Sequence, residues 1–246
     1  MKKNKILIAR LLKDLNIKKG DDLMIHGDAG IIAQLNLKNK KRFKFFFNEI
    51  INFVGKKGTI LVPSFTYSFC KTKIYNPKKS KSEVGMFGEE FRKLKISKRT
   101  NHPIFSFSIF GKNWKYYKKA NIETCFGKNS IFHFFHKVNG KIISFGSLFE
   151  QSATFLHYIE ESAKVNYRYF KTFEGVLKNN IKKKIKTNYY VRDLKKKNTF
   201  IMPKSLSNII REKTFGRYTV SAISSKKLFN YCCAKLKNNQ NYLIRN

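Results

Sequence analysis

Apolar residues in the first third of the chain follow two different spacings. Helical spacing is shown by Ile6, Leu7, Leu11, Leu12 and Leu15. It recurs over residues 40–54, whereas residues 23–25 and 59–62 are short, continuous apolar runs, which are typical of buried strands. The pattern therefore predicts a helix–strand–helix–strand order and an α/β fold whose sheet is covered on both faces.

The rest of the chain adds further elements. Helices are predicted over residues 85–93 and 153–164, strands over residues 104–110 and 141–145, and a polar, lysine-rich loop over residues 68–84. Aromatic residues and lysines alternate in short runs over residues 170–202, which predicts a β-rich excursion, and residues 203–236 return to helix and strand. Because no repeat or linker interrupts the pattern, we predict a single domain over residues 1–246.

The charge balance changes the picture of what the protein binds. Its 246 residues include 52 Lys and Arg against 15 Asp and Glu, a formal net charge of +37. Such a field attracts anions. The lysines are spread along the whole chain, however, and a Lys/Asn and Ile/Phe bias is also what an AT-rich genome encodes. No nucleic-acid-binding module accompanies the charge, so specific nucleic-acid binding is only a remote alternative.

Metal, membrane and export signals are weak. The four cysteines are Cys70, Cys125, Cys232 and Cys233. Their spacing is irregular and the adjacent pair does not match a zinc motif, so we predict no metal and reduced thiols. Arg10, Lys13 and Asp14 interrupt the apolar N-terminal segment, and no apolar run approaches the roughly 20 residues that span a bilayer. We therefore expect a soluble, cytoplasmic protein without a membrane span. The sequence leaves a homo-oligomer open.

Five segments form an ordered set of motifs. They are residues 20–28, 58–66, 85–111, 126–146 and 154–160, the last followed by Tyr167 and Arg168. The two most specific strings are R-x-x-H-P-x-x-S, which begins at Arg99, and T-x-L-H-x-x-E, which begins at Thr154. Together the segments resemble the aminoglycoside 3-N-acetyltransferase family over residues 20–168, and the resemblance fades after residue 170.

The resemblance implies a fold and a reaction. The family has a three-layer α/β/α arrangement around a mixed central sheet, distinct from the commoner acetyltransferase fold. Its members use acetyl-CoA as co-substrate and acetylate aminoglycosides or other amino sugars. No metal is expected for this chemistry.

The family motifs also imply site residues. His157 is the expected general base, because an imidazole with a pKa near 6.5 accepts a proton at neutral pH. Glu160 shares a helix face with His157 and is expected to orient the imidazole or hold the substrate ammonium. Thr154 could donate its hydroxyl to the developing oxyanion or cap the helix, and both roles stay open.

Two further groups of residues complete the expected site. The cofactor side is implied to contain His26, Gly27, Asp28, Ala29, Gly30, Ser64, Phe65, Thr66, His102, Pro103 and Ser106. The acceptor side is expected to contain Asp28, Tyr67, Glu160 and Arg168. The Gly27–Asp28 pair departs from the Ser–Ser pair that is common in the family, and Asp28 could equally be a turn residue. For His102, a binding or structural role is favoured over catalysis.

The net charge and the family resemblance favour different acceptor substrates. Aminoglycosides are polycations, and a strongly positive chain repels them, whereas acetyl-CoA and nucleotide-linked sugars are polyanions. The charge therefore favours a nucleotide-linked amino sugar, such as an intermediate of surface polysaccharide synthesis. An aminoglycoside acceptor, with antibiotic resistance as its outcome, is the alternative. The lysines of the 68–84 loop could clamp phosphates or could be simply solvated.

Overall fold

A seven-stranded mixed sheet forms the centre of the protein. The computed structural model describes residues 2–35, 37, 39–149, 153–179, 181–196 and 199–245. The strand order in the sheet is β10-β11-β6-β1-β2-β5-β4. Strand β1 lies parallel to both β2 and β6, whereas β5 and β11 run antiparallel to their neighbours. The carboxyl ends of the three parallel strands thus share one edge, the usual position of a site in α/β sheets.

The bounds of the elements agree closely with the apolar pattern. The strands are β1 (Asp22–Gly27), β2 (Thr59–Pro63), β3 (Ile74–Tyr75), β4 (Lys98–Arg99), β5 (Phe107–Gly111), β6 (Lys141–Phe145), β7 (Arg168–Lys178), β8 (Lys182–Arg192), β9 (Thr199–Phe200), β10 (Arg211–Phe215), β11 (Tyr218–Ser224) and β12 (Ile244–Arg245). The helices are α1 (Lys2–Asp14), α2 (Ala29–Ala33), α3 (Asn39–Val54), α4 (Phe69–Thr72), α5 (Gly85–Arg92), α6 (Trp114–Tyr117), α7 (Ile131–Lys137), α8 (Phe155–Ser162), α9 (Lys204–Ser207) and α10 (Ser225–Asn238).

Alternate residues of the central strands enter two separate cores. In β1, Leu23 and Ile25 pack with apolar residues of α1, α3 and α5, whereas Met24 packs with those of α7, α8 and α10. A fully buried strand needs apolar side chains on both faces, which is why β1 reads as a continuous apolar run. The sheet therefore lies between two helical layers, and the predicted three-layer α/β/α arrangement is confirmed.

The β-rich excursion forms a second sheet. Strands β7 and β8 pair antiparallel from Arg168↔Arg192 to Lys178↔Lys182, and β3 joins β7 in parallel. The segment predicted as a loop over residues 68–84 therefore contains α4 and β3. Of the described residues, none belongs to a helix long and apolar enough to cross a membrane.

The strand predicted over residues 104–110 begins only at Phe107. The backbone amides of Ile104 and Phe105 bond instead to the imidazole Nδ1 of His102, at 3.2 and 2.9 Å. These two backbone amides therefore donate to a side chain, whereas in a strand they would bond to the neighbouring strand.

Candidate active site

Helix α8 carries the two residues expected to perform the proton transfer. Phe155, Leu156 and Ile159 anchor one face of the helix in the core. His157 and Glu160 are three residues apart and therefore adjacent on the helix surface. Glu160 has no exposed surface, whereas 28% of the His157 side chain is exposed.

Glu160 is surrounded by partners that stabilise its charge. Its Oε2 lies 2.6 Å from Nδ1 of His157, and its Oε1 accepts a hydrogen bond from the Tyr167 hydroxyl at 2.9 Å. The Nε of Arg168 forms an ion pair with Oε2 at 2.9 Å. The structure thus brings together His157, Glu160 and Arg168, which the sequence assigned to the site.

These contacts determine the tautomer of the imidazole. Nδ1 of His157 also lies 2.9 Å from Nη2 of Arg168, which can only donate a hydrogen bond. Arg168 would therefore need a lone pair on Nδ1, whereas the carboxylate of Glu160 needs a proton there. A carboxylate oxygen at 2.6 Å requires a proton between the two atoms, and this charge-assisted bond is the shorter and stronger one. We infer that Nδ1 carries the proton, which leaves the lone pair on Nε2.

Burial and charge act on the pKa of both partners. Burial lowers the pKa of His157, the positive charge of Arg168 lowers it further, and Glu160 only partly opposes them. Burial acts to raise the pKa of Glu160, but the hydrogen bond and charge of His157, the charge of Arg168 and the hydroxyl of Tyr167 outweigh it. The pKa of Glu160 is therefore lowered, and the dyad combines a neutral imidazole with an ionised carboxylate.

A testable pH dependence follows from the lowered pKa of His157. Because the free base is the active form, kcat/KM is expected to persist as pH falls and to decline only below about 6.5, the unperturbed value. Arg168→Gln removes a charge that lowers this pKa, so the acidic limb should move to higher pH in that variant. A pH profile of acetyl transfer measures both. An acidic limb above pH 7 in the unaltered enzyme would contradict the assignment.

A cavity of about 280 Å³ opens at the carboxyl ends of β1 and β2. Its lining includes His26, Gly27, Phe65, Tyr67 and Thr154, so it joins four predicted residues of these strand ends to the start of α8. Burial lowers the pKa of His26 to about 3, which keeps the ring neutral. Its buried Nε2 has no hydrogen-bond partner among the described residues. Such an atom fits a site where a polar ligand completes the bonding.

The remaining hydroxyls of the cofactor side lie behind this cavity in a buried network. Ser106 donates to the carbonyl of Ser64 at 2.6 Å, and the Ser64 and Ser108 hydroxyls are 2.8 Å apart. Arg99 ties the network together, since its Nε donates to Ser106 at 3.0 Å and its Nη2 donates to Thr66 Oγ1 at 2.8 Å and to the carbonyl of Ser64. These hydroxyls thus fix the shape of the strand end.

His102 is buried and hydrogen-bonded to the backbone. Its Nδ1 accepts two backbone amides, so Nε2 carries the proton and faces the carbonyl of Thr124 at 3.2 Å. Burial lowers the pKa of His102 to about 3. Pro103, which follows it, is buried as well.

Asp28, Ala29 and Gly30 begin helix α2 and line none of the cavities described here. The carboxylate of Asp28 accepts the amide of Gly30 at 2.6 Å, which is the N-cap interaction of that helix. The structure therefore does not bring Asp28 into the group formed by His157 and Glu160.

The departure from the family at Gly27 has a steric basis. A Cβ on this residue would lie 2.7 Å from the ring of Phe87, closer than real side chains approach. Phe87 is buried and packs edge to face against Phe46 and Phe47. The aromatic core of this chain thus occupies the space that a serine side chain would need.

Restoring the family residue should therefore destabilise this protein. Gly27→Ser is expected to lower the free energy of unfolding by about 1–3 kcal/mol through overpacking. The double variant Gly27→Ser/Phe87→Leu should be less destabilised than the sum of the two single changes, because the smaller side chain makes room. Chemical denaturation of the four proteins measures this coupling. Strict additivity would contradict the steric explanation.

Two residues near the dyad have roles that the sequence analysis missed. Tyr167 follows the T-x-L-H-x-x-E string, and its proximity to that motif was the available signal for its bond to Glu160. Glu161 would be interpreted from sequence as a solvated charge, but its Oε2 is buried without a hydrogen-bond partner, and burial raises its pKa to about 7. Tyr67, which the sequence assigned to the acceptor side, lines the 280 Å³ cavity and is 42% exposed.

The other cavities differ in character. A cavity of about 230 Å³ is lined by both dyad residues together with Tyr167, Arg168, Tyr189 and Arg192. The largest, of about 920 Å³, is lined by four lysines and two glutamates beside β7 and β8 and contains neither dyad residue. Within the described ranges, no group of three His, Cys, Asp or Glu residues could hold a metal ion.

Comparison with known proteins decides the family. The model of the aminoglycoside 3-N-acetyltransferase family matches residues 24–237. The chain belongs to this family. The motifs that suggested it are therefore confirmed, and the protein is an acetyl-CoA-dependent N-acetyltransferase. No curated protein matches the sequence.

Several solved structures share the fold of this chain. AAC-IIIb in a binary complex with CoASH has a TM-score of 0.78 at 15% identity, covering 95% of this chain and 96% of that one. Sisomicin-bound AAC-VIa has a TM-score of 0.76 at 18% identity, covering 95% and 97%. The YokD protein from Bacillus subtilis has a TM-score of 0.75 at 18% identity, covering 96% and 99%. At these identities the likeness establishes the fold.

Proposed function

We propose that this acetyltransferase transfers the acetyl group of acetyl-CoA to an amino group of an aminoglycoside, with His157 as general base. The observation that carries the proposal is the 2.6 Å contact between Nδ1 of His157 and the buried carboxylate of Glu160. That contact leaves Nε2 as the atom that can accept a proton. Family membership supplies the reaction and favours the aminoglycoside over the nucleotide-linked sugar that the mean charge predicted.

The dyad would act during the attack of the amine. An ammonium group has no lone pair, so the acceptor nitrogen must lose protons before and as it forms the new bond. Nε2 of His157 takes a proton from the amine as the C–N bond forms, and the positive charge that arises on the ring is stabilised by Glu160. The C–S bond of the thioester then breaks, and the proton returns from the ring to the departing thiolate, so that CoA leaves as the thiol. Tyr167 and Arg168 keep the carboxylate ionised and in place, so that it is preorganised for this charge.

Acetyl-CoA supplies the acetyl group as an activated thioester, and the cavity at the ends of β1 and β2 suits its acyl end. Phe65 offers apolar surface, and the unpartnered His26 Nε2 offers a polar atom. Thr154 lies at the start of α8, one turn before His157, and lines the same cavity. We assign its hydroxyl to the carbonyl oxygen of the thioester.

Recognition of a polycation needs local carboxylates under a positive mean field. Glu83 precedes Val84, a residue of the cavity lining, and accepts bonds from the amide of Ser68 at 2.9 Å and from its hydroxyl. Burial raises the pKa of the neighbouring Tyr67 to about 12, and the charge of Glu83 adds to that rise. We assign Glu83 to an ammonium group of the acceptor.

The acceptor is tested by measuring thiol release from acetyl-CoA. A panel of aminoglycosides, including sisomicin, is compared with a panel of nucleotide-linked 3- and 4-amino sugars, and the acetylated products are identified by mass spectrometry. Turnover of aminoglycosides that is weakened by Glu83→Gln supports the proposal. Turnover of nucleotide-linked sugars alone would refute it and restore the interpretation based on charge.

A further inference from the structure

The sheet formed by β3, β7 and β8 has one face buried and one face exposed to solvent. Successive side chains of a strand alternate between the two faces of a sheet. On one side Leu177, Ile185 and Thr187 are buried. The other side presents six exposed residues, which are Thr172, Glu174, Lys182, Lys184, Lys186 and Asn188. This exposed and mostly polar face is therefore open to a partner molecule.

The hairpin of β7 and β8 concentrates positive charge beyond the average of this basic chain. Residues 168–192 contain eight Lys and Arg and one acidic residue, Glu174. Basic residues are thus about one in three here and about one in five in the whole chain. Lys184 and Lys186 also line the cavity of about 920 Å³, together with Lys73 and Lys183. A positive field around a concave surface attracts a polyanion.

An exposed aromatic ring lies at one end of the same face. Phe170 is 60% exposed, and its ring centroid lies 4.8 Å from that of the buried Tyr190. The Tyr190 hydroxyl donates to the carbonyl of Val165 at 2.5 Å, which holds this ring in place beside Phe170. Phe170 therefore keeps much of its surface in water while its position is supported, and it offers a platform on which a nucleic-acid base can stack.

We propose that this face binds single-stranded nucleic acid without sequence specificity, a function beyond acetyl transfer. Lys182, Lys184 and Lys186 contact the phosphates, and a base stacks on Phe170. Eight residue steps separate Phe170 from Lys178 along β7, a length of about 26 Å that accommodates a few nucleotides.

The composition of the face selects this partner among polyanions. A duplex keeps the faces of its bases inside the stack, so an exposed aromatic platform favours a single strand. An anionic membrane would need a broader apolar surface, whereas the exposed residues of this face are mostly polar.

The test is fluorescence anisotropy of a labelled oligouridine of about 12 nucleotides, titrated with the full-length protein. Saturable binding is expected, and it should weaken steeply as salt rises because phosphate contacts release counterions. The hairpin variant Lys182→Glu/Lys184→Glu/Lys186→Glu should lose about tenfold or more of the affinity and show a shallower salt dependence. Thermal melting verifies that this variant and those below are folded.

The matched control makes the same change of net charge elsewhere. Lys3, Lys41 and Lys44 are exposed on α1 and α3, whose buried residues lie across the central sheet from the core that contains Leu177 and Ile185. At about 0.15 M ionic strength, exposed charges more than about 8 Å apart are largely screened, so Lys3→Glu/Lys41→Glu/Lys44→Glu should keep the affinity within about threefold. Equal losses in the two triple variants would mean that net charge alone attracts the oligonucleotide, and they would overturn the proposal.

A second pair of variants tests the stacking without any change of charge. Phe170→Ala should weaken binding about fivefold or more, the loss expected when one base loses its aromatic platform. Tyr169→Ala is its control, because Tyr169 is 50% exposed but lies on the opposite face of β7, and it should leave the affinity unchanged. Equal affinities of the two variants, or no saturable binding by the unaltered protein, would contradict the proposal.

Vesicles of phosphatidylglycerol provide the last comparison. If the hairpin lysines and Phe170 are needed for vesicle binding while the oligonucleotide does not bind, the face is a membrane surface and the proposal is overturned. Because none of these measurements needs turnover, a protein that binds the oligonucleotide but acetylates no aminoglycoside would refute only the proposed function.

Discussion

Replacing His157 with alanine is expected to lower kcat for acetyl transfer by about 10²–10⁴-fold, the range that general-base catalysis contributes. The variant loses an imidazole whose Nδ1 contacts a buried carboxylate and whose side chain is 28% exposed. Steady-state kinetics with acetyl-CoA and the best aminoglycoside measure the effect. The affinity for CoA should be nearly unchanged, because the cofactor-side cavity does not include His157.

The control for this experiment is another histidine. His102→Asn alters a buried ring that bonds to the backbone, and its main effect should be on stability and on KM for acetyl-CoA. A wild-type kcat in His157→Ala, or a larger loss of kcat in His102→Asn, would contradict the assignment of the base.

Replacing Glu160 with glutamine is expected to lower kcat by about 10²-fold or more, because it reverses the tautomer of the base. A glutamine amide can rotate to donate to Nδ1, and the proton then moves to Nε2, where the lone pair is needed. The analogous change in serine proteases acts through the wrong tautomer in the same way. Glutamine is preferred to alanine because it fills the same buried space. It also removes the charge that pairs with Arg168, at a cost of about 3–5 kcal/mol of stability, so thermal melting must verify that the variant is folded.

Glu161→Gln is the matched control for Glu160→Gln. It removes the adjacent carboxylate, whose Oε2 has no described hydrogen-bond partner, and leaves the contacts of His157 intact. Its kcat at neutral pH should stay within a few-fold of the wild-type value. Equal losses in the two variants would mean that negative charge near the helix matters and that the orientation of the imidazole does not.

Much of this fold could be predicted because its central strands are buried on both faces. The runs that became β1, β2 and β6 are continuous and apolar, and the helices beside them have clear helical spacing. The start of β5 could not be predicted, because the imidazole of His102 takes the amides of Ile104 and Phe105. That competition depends on a side chain that no periodicity describes.

In the site, too, contacts between residues close in sequence could be predicted, whereas contacts between distant residues could not. His157 and Glu160 are three residues apart, so their contact follows from helix geometry once the motif is noticed. The packing of Phe87 against Gly27 and the reach of Arg99 to Thr66 join residues 60 and 33 positions apart along the chain. Only the folded chain brings such pairs together, which is why neither the steric reason for Gly27 nor the network around Arg99 was predicted.

The central claim is that Nε2 of His157 removes the proton from the acceptor amine. It is tested most directly by a crystal structure of the enzyme with CoA and sisomicin bound together. The account predicts that an acceptor nitrogen lies within about 2.6–3.2 Å of Nε2, or one water away, with the CoA thiol beside it. A ternary complex in which the acceptor nitrogen and the thiol meet on the order of 10 Å or more from His157 would contradict it.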